Sequence, residues 1–387
     1  MSARTQSEQP DGAVPEAAPI EGQPFAPIGL RCVTLARPIA IIAAIAAMLV
    51  SVVALPNCRG VPSRETPRTP AVGSLAPRVG DEIMVAGVMV HTGAPVVLWT
   101  DPGGYDAYRV ERRFAPPDES DWDDIAGAIP SPNRFGLRRT GLDEGALERV
   151  RGGGWTLTDL QRSIDQIVLH YDASGTSRQC FKILHDRRGL SAHFLIDLDG
   201  TIYQTLDVKE RAWHATRANS RSVGIEIAHI GAYETVAGSP LETWYQRDRA
   251  GYRVALPSWM GDGGVRTPGF VARPSRDRMI EGEINGRSLI QPDFTDEQYD
   301  ALARLTAALC TVLPRIECAY PTIGTHERGD RAGAGAVLPH AMSDDAFAAF
   351  RGILGHWHVQ ENKADPGPAM DWERVVGDAR RLISGRD

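Results

Sequence analysis

Residues 167–206 read IVLHYDASGTSRQCFKILHDRRGLSAHFLIDLDGTIYQTL, and the way this stretch is punctuated decides the fold class. Ile167-Val168-Leu169 is a short apolar run of the kind that forms a strand covered on both faces. A helix is predicted from Thr176 to Arg188, opened by a hydroxyl residue and stopped by Gly189. Phe194 to Ile196 and Ile202 to Leu206 flank Asp199-Gly200, two residues that tolerate positive φ, so a hairpin is expected there. Val223 to Ile227 supplies another strand. Strand, helix, hairpin and strand in succession point to an α/β fold with a mixed central β-sheet flanked by helices.

Toward the C-terminus, Thr295 and Gln298 form a capping box, followed at helical spacing by Tyr299, Leu302, Leu305 and Leu309 up to Pro314. A last helix is predicted from Asp371 to Ser384, with Trp372, Val375, Val376, Ala379, Leu382 and Ile383 as its buried stripe. Two stretches, 232–292 and 322–350, are rich in Gly, Pro and Arg and show no clear period. They read as loops inserted at the rim of the sheet.

Toward the N-terminus the pattern changes. Residues 81–112 alternate like strands, with Ile83, Val85 and Val88 to Val90 separated from Val96 to Trp99 by the turn His91-Thr92-Gly93-Ala94-Pro95. This is a small β module or a β extension of the domain C-terminal to it, and 113–150 is its connector. Residues 56–80 are a Pro-rich, extended tether. Ile39 to Leu55 runs 17 residues without a charge or a proline, preceded by Arg31 and Arg37. Its length suits a signal core or an anchor helix. Three export readings stand open: cleavage after Val52-Val53-Ala54, lipidation at Cys58, or an uncleaved anchor giving membrane association through 39–55. Residues 1–38 read as a disordered leader. The domain plan is therefore leader 1–38, signal or anchor 39–55, tether 56–80, β module and connector 81–150, and a catalytic domain 151–387.

Of the 387 residues, 42% are hydrophobic and 24% charged. That is ordinary globular usage and speaks against wholesale disorder. Lys+Arg 42 against Asp+Glu 49 leaves a net charge of −7 with no sustained basic run, so nucleic acid is not an expected partner. The cysteines Cys32, Cys58, Cys180, Cys310 and Cys318 form no C-x-x-C pair, which removes a zinc ribbon or a thioredoxin-type site. A Cys310–Cys318 bridge stays open for an exported chain. His326-Glu327 lacks the second histidine of an H-E-x-x-H protease.

The chemistry concentrates in Gly355-His356-Trp357-His358-Val359-Gln360-Glu361-Asn362-Lys363-Ala364-Asp365-Pro366-Gly367-Pro368. Imidazole and carboxylate are zinc ligands, and a catalytic zinc takes three from the protein and keeps one position open. His170, at the end of its strand, is placed to reach a cleft over the sheet edge. Only Lys182, Lys209 and Lys363 are lysines, so one of them beside this cluster suggests a need for a compact ammonium.

In order along the chain stand His170, Ser191-Ala192-His193-Phe194-Leu195-Ile196 with Asp199-Gly200, Ala212-Trp213-His214-Ala215, Gly224-Ile225-Glu226 and the 355–368 segment. Together they resemble the zinc-dependent N-acetylmuramoyl-L-alanine amidases of the type-2 amidase and peptidoglycan-recognition-protein superfamily, which includes the T7-type lysozyme. The resemblance covers roughly residues 155–385. It implies Zn2+ held by His170, His356 and Asp365, with Glu226 as general base and Lys363 as the cation beside the third ligand. Trp213, His214 and Asn219 fall on positions near substrate. Ala192 stands where some members carry a catalytic tyrosine, which shifts weight onto Glu226. His356 and His358 compete for one ligand position, since i and i+2 share a face on a strand; the residue after the glycine, His356, matches the family order.

The implied activity is hydrolysis of the amide between N-acetylmuramic acid and L-alanine of peptidoglycan in the cell envelope. Zinc would lower the pKa of water from about 15.7 toward roughly 7, Glu226 would carry the proton, and Lys363 would face the charge developing on the amide oxygen. Two other readings are a peptidoglycan-recognition module that binds without cutting and a recycling amidase acting on anhydro-muropeptides. The presence of all three ligand candidates disfavours the first, and an exporting 39–55 segment disfavours the second.

Overall fold

The computed structural model describes residues 78–122, 134–323 and 335–385. The leader, the apolar 39–55 run, nearly all of the tether, Cys32, Cys58 and His326-Glu327 lie outside the described residues. Among those described, no helix is long and apolar enough to cross a membrane.

The N-terminal part contributes β1 (Glu82–Val85), β2 (Val88–His91), β3 (Val96–Leu98), β4 (Phe135–Leu137), α1 (Glu144–Arg151) and α2 (Leu157–Ser163). Then come β5 (Gln166–Tyr171), α3 (Ser177–Leu184), β6 (Phe194–Ile196), β7 (Ile202–Gln204), β8 (Glu210–Ala212) and β9 (Ser222–Ile227). The next stretch holds α4 (Leu241–Trp244), β10 (Tyr245–Asp248), β11 (Gly251–Val254), β12 (Met279–Ile284) and β13 (Arg287–Pro292). The chain continues through α5 (Asp296–Val312), α6 (Asp344–Ala349), β14 (Gly352–Gly355), α7 (His356–Val359) and α8 (Trp372–Ser384).

Six strands form the central sheet in the order β14-β5-β9-β6-β7-β3. From β14 to β6 neighbours run parallel, while β7 runs against β6 as the arm of the Asp199-Gly200 hairpin. The expected mixed sheet is the one observed.

Side-chain alternation in β9 separates core from chemistry. Val223, Ile225 and Ile227 join the cluster that includes Leu302, Leu305 and Leu309 of α5 and Val375 and Val376 of α8. Ser222, Gly224 and Glu226 therefore face the other way. Burial of each leucine in that core contributes roughly 1.5–3 kcal/mol. The capping box that starts α5 is present, with Thr295 accepting from Gln298 N–H and Gln298 from Thr295 N–H. Asp371 caps α8, and its stripe is buried as far as Ala379. Its last turn runs past the core, so Leu382 is only partly covered and Ile383 is 46% exposed, unlike the predicted stripe.

Three readings change. The first hairpin turns at Ala86-Gly87, both at positive φ, rather than at 91–95. Its follower β3 joins the central sheet beside β7. Residues 232–292 are not irregular: they contain α4 and the antiparallel hairpins β10–β11 and β12–β13. The helix expected as far as Arg188 stops at Leu184. Cys310 and Cys318 are free thiols.

Asp197, at the end of β6, accepts from Ser177 N–H and Leu198 N–H through one oxygen, and its other oxygen is buried without a partner among the described residues. Burial pushes its pKa from 3.8 up to about 7. The folded protein thus holds a proton that the unfolded chain releases across this window. Stability from this group is full below the unfolded value and is lost as pH rises toward 7. Asp197→Asn keeps the accepting oxygen and removes the charge. It is expected to match wild type near pH 4 and to be more stable by up to about 4 kcal/mol at pH 8, read by urea unfolding at both pH values.

Candidate active site

The carboxyl ends of the adjacent parallel strands β14, β5 and β9 bring the predicted residues together, the edge where open α/β sheets bind ligands. His170 near the end of β5 is in register with Glu226 on β9. β14 ends at Gly355, and the chain turns at once into α7, whose first residue is His356. Because 356–359 is helical, His356 and His358 point to different sides, and the expected strand-like i, i+2 sharing does not occur. His358 is buried elsewhere, accepting from Gly355 N–H at 2.8 Å and bonded to Leu338 O at 2.8 Å.

Oδ2 of Asp365 lies 2.7 Å from Nδ1 of His170 and 3.0 Å from Nδ1 of His356, and one ligand atom from each of the three residues lies within 4.8 Å of the other two. Their protonation follows from the surrounding hydrogen bonds. Ser222 Oγ–H donates to Ala218 O at 2.7 Å, and a carbonyl can only accept. Ser222 Oγ therefore accepts from His214 Nε2–H at 3.2 Å, and His214 Nδ1 accepts from His170 Nε2–H at 3.1 Å. Neutral His170 then turns a lone pair on Nδ1 toward Asp365 Oδ2, 2.7 Å away. His356 Nε2 lies 2.8 Å from Gln360 Oε1, and its Nδ1 lies 3.0 Å from the same carboxylate oxygen.

Two imidazole nitrogens and a carboxylate oxygen this close call for a proton or a cation among them. Protonation is opposed: burial first, and the neighbouring His356, push His170 down to about 4. For Asp365, burial alone would raise the pKa, but His356 and His170 hold it far below the usual carboxylate range. An N2O donor set fixed by outer hydrogen bonds fits a divalent cation of borderline softness such as zinc.

Glu226 is buried beside this group. Burial, then the charges of Asp365 and Asp172, raise its pKa well above 4.5, the shift expected of a carboxylate used for proton transfer near neutrality. The charge of Lys363 reaches both His170 and Glu226, and among the described residues its ammonium makes no ion pair. Gly224 lets the His214 ring lie against the sheet, since a Cβ there would stand 2.6 Å from it.

Trp213 is half-buried under the Arg211 guanidinium, 4.7 Å from the ring centre. Asn219, expected near substrate, is buried, and its side-chain oxygen accepts from His214 N–H and Ala215 N–H. It holds His214 in place. His193 is also buried, accepting from Gly224 N–H at 3.0 Å and bonded to Glu210 O at 2.9 Å.

The sequence model of the N-acetylmuramoyl-L-alanine amidases matches residues 160–368, more than half of the 387 residues. The chain belongs to this amidase family. A search of curated proteins returns no match. Among solved structures, a selenomethionine derivative of AmpD is 20% identical, covers 66% of this chain and 95% of its own, with a TM-score of 0.29. AmiD from E. coli, solved with the substrate anhydro-N-acetylmuramic acid-L-Ala-D-γ-Glu-L-Lys, is 17% identical over 56% of this chain and 57% of its own, TM-score 0.31. AmpDH3 from Pseudomonas aeruginosa, in complex with anhydromuramic pentapeptide, is 18% identical over 56% and 59%, TM-score 0.29.

Sequence reasoning missed three supports of this amidase-family site. Gln360 and Ser222 orient the imidazoles through the hydrogen bonds to His356 and His214. Arg138, in the stretch read as a connector, is fully buried and donates to Val208 O, Asn219 O, Ser220 O and Ser222 O, at 2.9 to 3.3 Å. It thereby fixes both ends of the segment that carries Asn219 and Ser222. Its only sequence signal is an arginine after Phe135-Gly136-Leu137, which does not distinguish it from a surface residue.

A second group, Asp81, Glu82 and His91, stands at the first hairpin. Its carboxylates are already taken by His91 Nδ1 and the N–H groups of Gly93, Val79 and Gly80.

Proposed function

We propose that this chain is a zinc-dependent hydrolase of the amide joining the lactyl group of N-acetylmuramic acid to L-alanine, separating peptidoglycan glycan from its stem peptide. The observation that carries this reading is the convergence of one ligand atom each from His170, His356 and Asp365 beside the buried Glu226. Zinc held there would act as a Lewis acid and make water acidic enough to attack at neutral pH. Glu226 takes the proton of the attacking water and returns it to the departing amine of L-alanine. Lys363 faces the negative charge that builds on the amide oxygen, and His214, held by Asn219 and Ser222, keeps His170 in the metal-facing tautomer. Membership of the amidase family supports the choice of bond. An exporting 39–55 segment would place this activity in the cell envelope.

Digestion of purified peptidoglycan, with mass analysis of the products, tests the proposal. Peptides with a free L-alanine amine are expected, absent after chelation and restored by Zn(II). Release that survives complete removal of metal would overturn the metal reading. Binding to peptidoglycan with no released peptide would leave the recognition-module reading in its place.

A further inference from the structure

We propose that the β12–β13 hairpin is a brace that positions Asp365 and Lys363 through two side-chain amides, those of Gln291 and Asn285. This rests on the proposed roles of Asp365 as a zinc ligand and Lys363 as the oxyanion-facing cation. Both residues sit in the stretch 360–371, which has no helix or strand of its own. Their placement must therefore come from contacts with a more regular element.

The hairpin provides them at two points. Gln291 on β13 is fully buried. Its Nε2 donates to Pro366 O at 3.0 Å and its Oε1 accepts from Ala369 N–H at 2.9 Å, which clasps the turn that begins at Asp365. Gly367 makes the clasp feasible: its φ is +89°, and a Cβ there would stand 2.1 Å from Gln291 Oε1. On β12, a Cβ at Gly282 would come within 2.7 Å of Pro368, so the strand can approach the same turn only as glycine.

At the tip, Asn285 adopts φ 50°, a conformation that asparagine tolerates better than most residues. Its Nδ2 donates to Lys363 O at 3.0 Å, with Gln360 O and Trp357 O at 3.4 and 3.5 Å. Its Oδ1 accepts from Ala341 N–H at 2.8 Å. The register from Met279↔Pro292 to Ile284↔Arg287 fixes the spacing between tip and base. One amide thus holds the carboxylate turn and the other the lysine backbone, and both are positioning residues rather than catalytic ones.

The two amides separate experimentally. In the full chain, Gln291→Ala and Gln291→Glu, which turns a carboxyl oxygen toward Pro366 O in place of the donor, are titrated with Zn(II) against a chromogenic chelator. Zinc affinity is expected to fall about 10–100-fold, with turnover largely restored by excess zinc. Asn285→Gly keeps the left-handed backbone without the amide, and Asn285→Asp turns an oxygen toward three carbonyls. Both are expected to bind zinc like wild type and to lose about tenfold in kcat at saturating zinc with KM unchanged.

Wild-type zinc affinity and kcat in all four variants, with only a lowered Tm, would overturn the brace. Should the wild type bind zinc but release no peptide, the proposed hydrolase function falls and the zinc titration alone decides. Weakened binding in the Gln291 variants then supports the brace, and equal binding overturns it.

Discussion

Glu226→Gln is expected to bind zinc as the wild type does and to lose turnover by about 10²–10⁴-fold, the range for a removed general acid–base group. The substitution keeps the shape of a side chain packed on the chemistry face of β9, in register with His170. What it removes is a carboxylate whose charge burial opposes. The metal-free variant should consequently be no less stable than wild type at pH 8, with any advantage fading toward pH 4 as the wild-type carboxyl protonates in both states. Metal content, unfolding and peptide release on one preparation check all three. Undiminished release in Glu226→Gln and Glu226→Ala would remove Glu226 from the reaction.

Asp365→Ala should act earlier, on metal retention itself. Oδ2 of Asp365 is the one oxygen facing both imidazoles, so its removal leaves two nitrogens without the anionic donor that balances a dication. Zinc affinity is expected to fall by more than about 100-fold, with His170→Ala behaving alike. His358→Ala provides the contrast. It breaks bonds to Gly355 and Leu338 that shape the bend carrying His356, so it should lower Tm while still binding zinc when folded. Loss of metal in His358→Ala with retention in His356→Ala would reverse the assignment of the two histidines.

The strands and capped helices of the sheet domain were readable because their signals are local. The Asp199-Gly200 turn, the Thr295 capping box and the period-2 run Val223-Ile225-Ile227 each report their own backbone. The His170, His356 and Asp365 group was readable only as a set, since nothing about His170 alone distinguishes it from a strand-end histidine bonded to a neighbour. Only the family order, with His356 after the glycine, favoured it over His358 in the sequence; the physical distinction depends on the switch from strand to helix at Gly355.

The 232–292 region was misread for another reason. β12 and β13 send Ile284 and Leu289 into the main core, but Gly282 and Gln291, which approach the 366–369 turn, occupy positions where aliphatic residues would have shown the alternation. Asn285-Gly286, a strong two-residue hairpin signal, was present in the sequence and marks their tip. Asn219 and Arg138 show a different limit. Their bonds go to backbone groups brought close by tertiary folding, which leaves no trace in residue type.

The order of the sheet carries a consequence for biosynthesis. Strand β5 brings one imidazole early, but its metal-site partners arrive nearly two hundred residues later, with the strand that docks on the sheet edge and the turn beyond it. A nascent polypeptide that has emerged from the ribosome only as far as residue 350 can assemble much of the hydrophobic layer yet owns a single ligand. On the proposed function, lytic potential would be withheld until synthesis has passed Asp365, a built-in delay for an enzyme whose substrate would be the wall of a living cell.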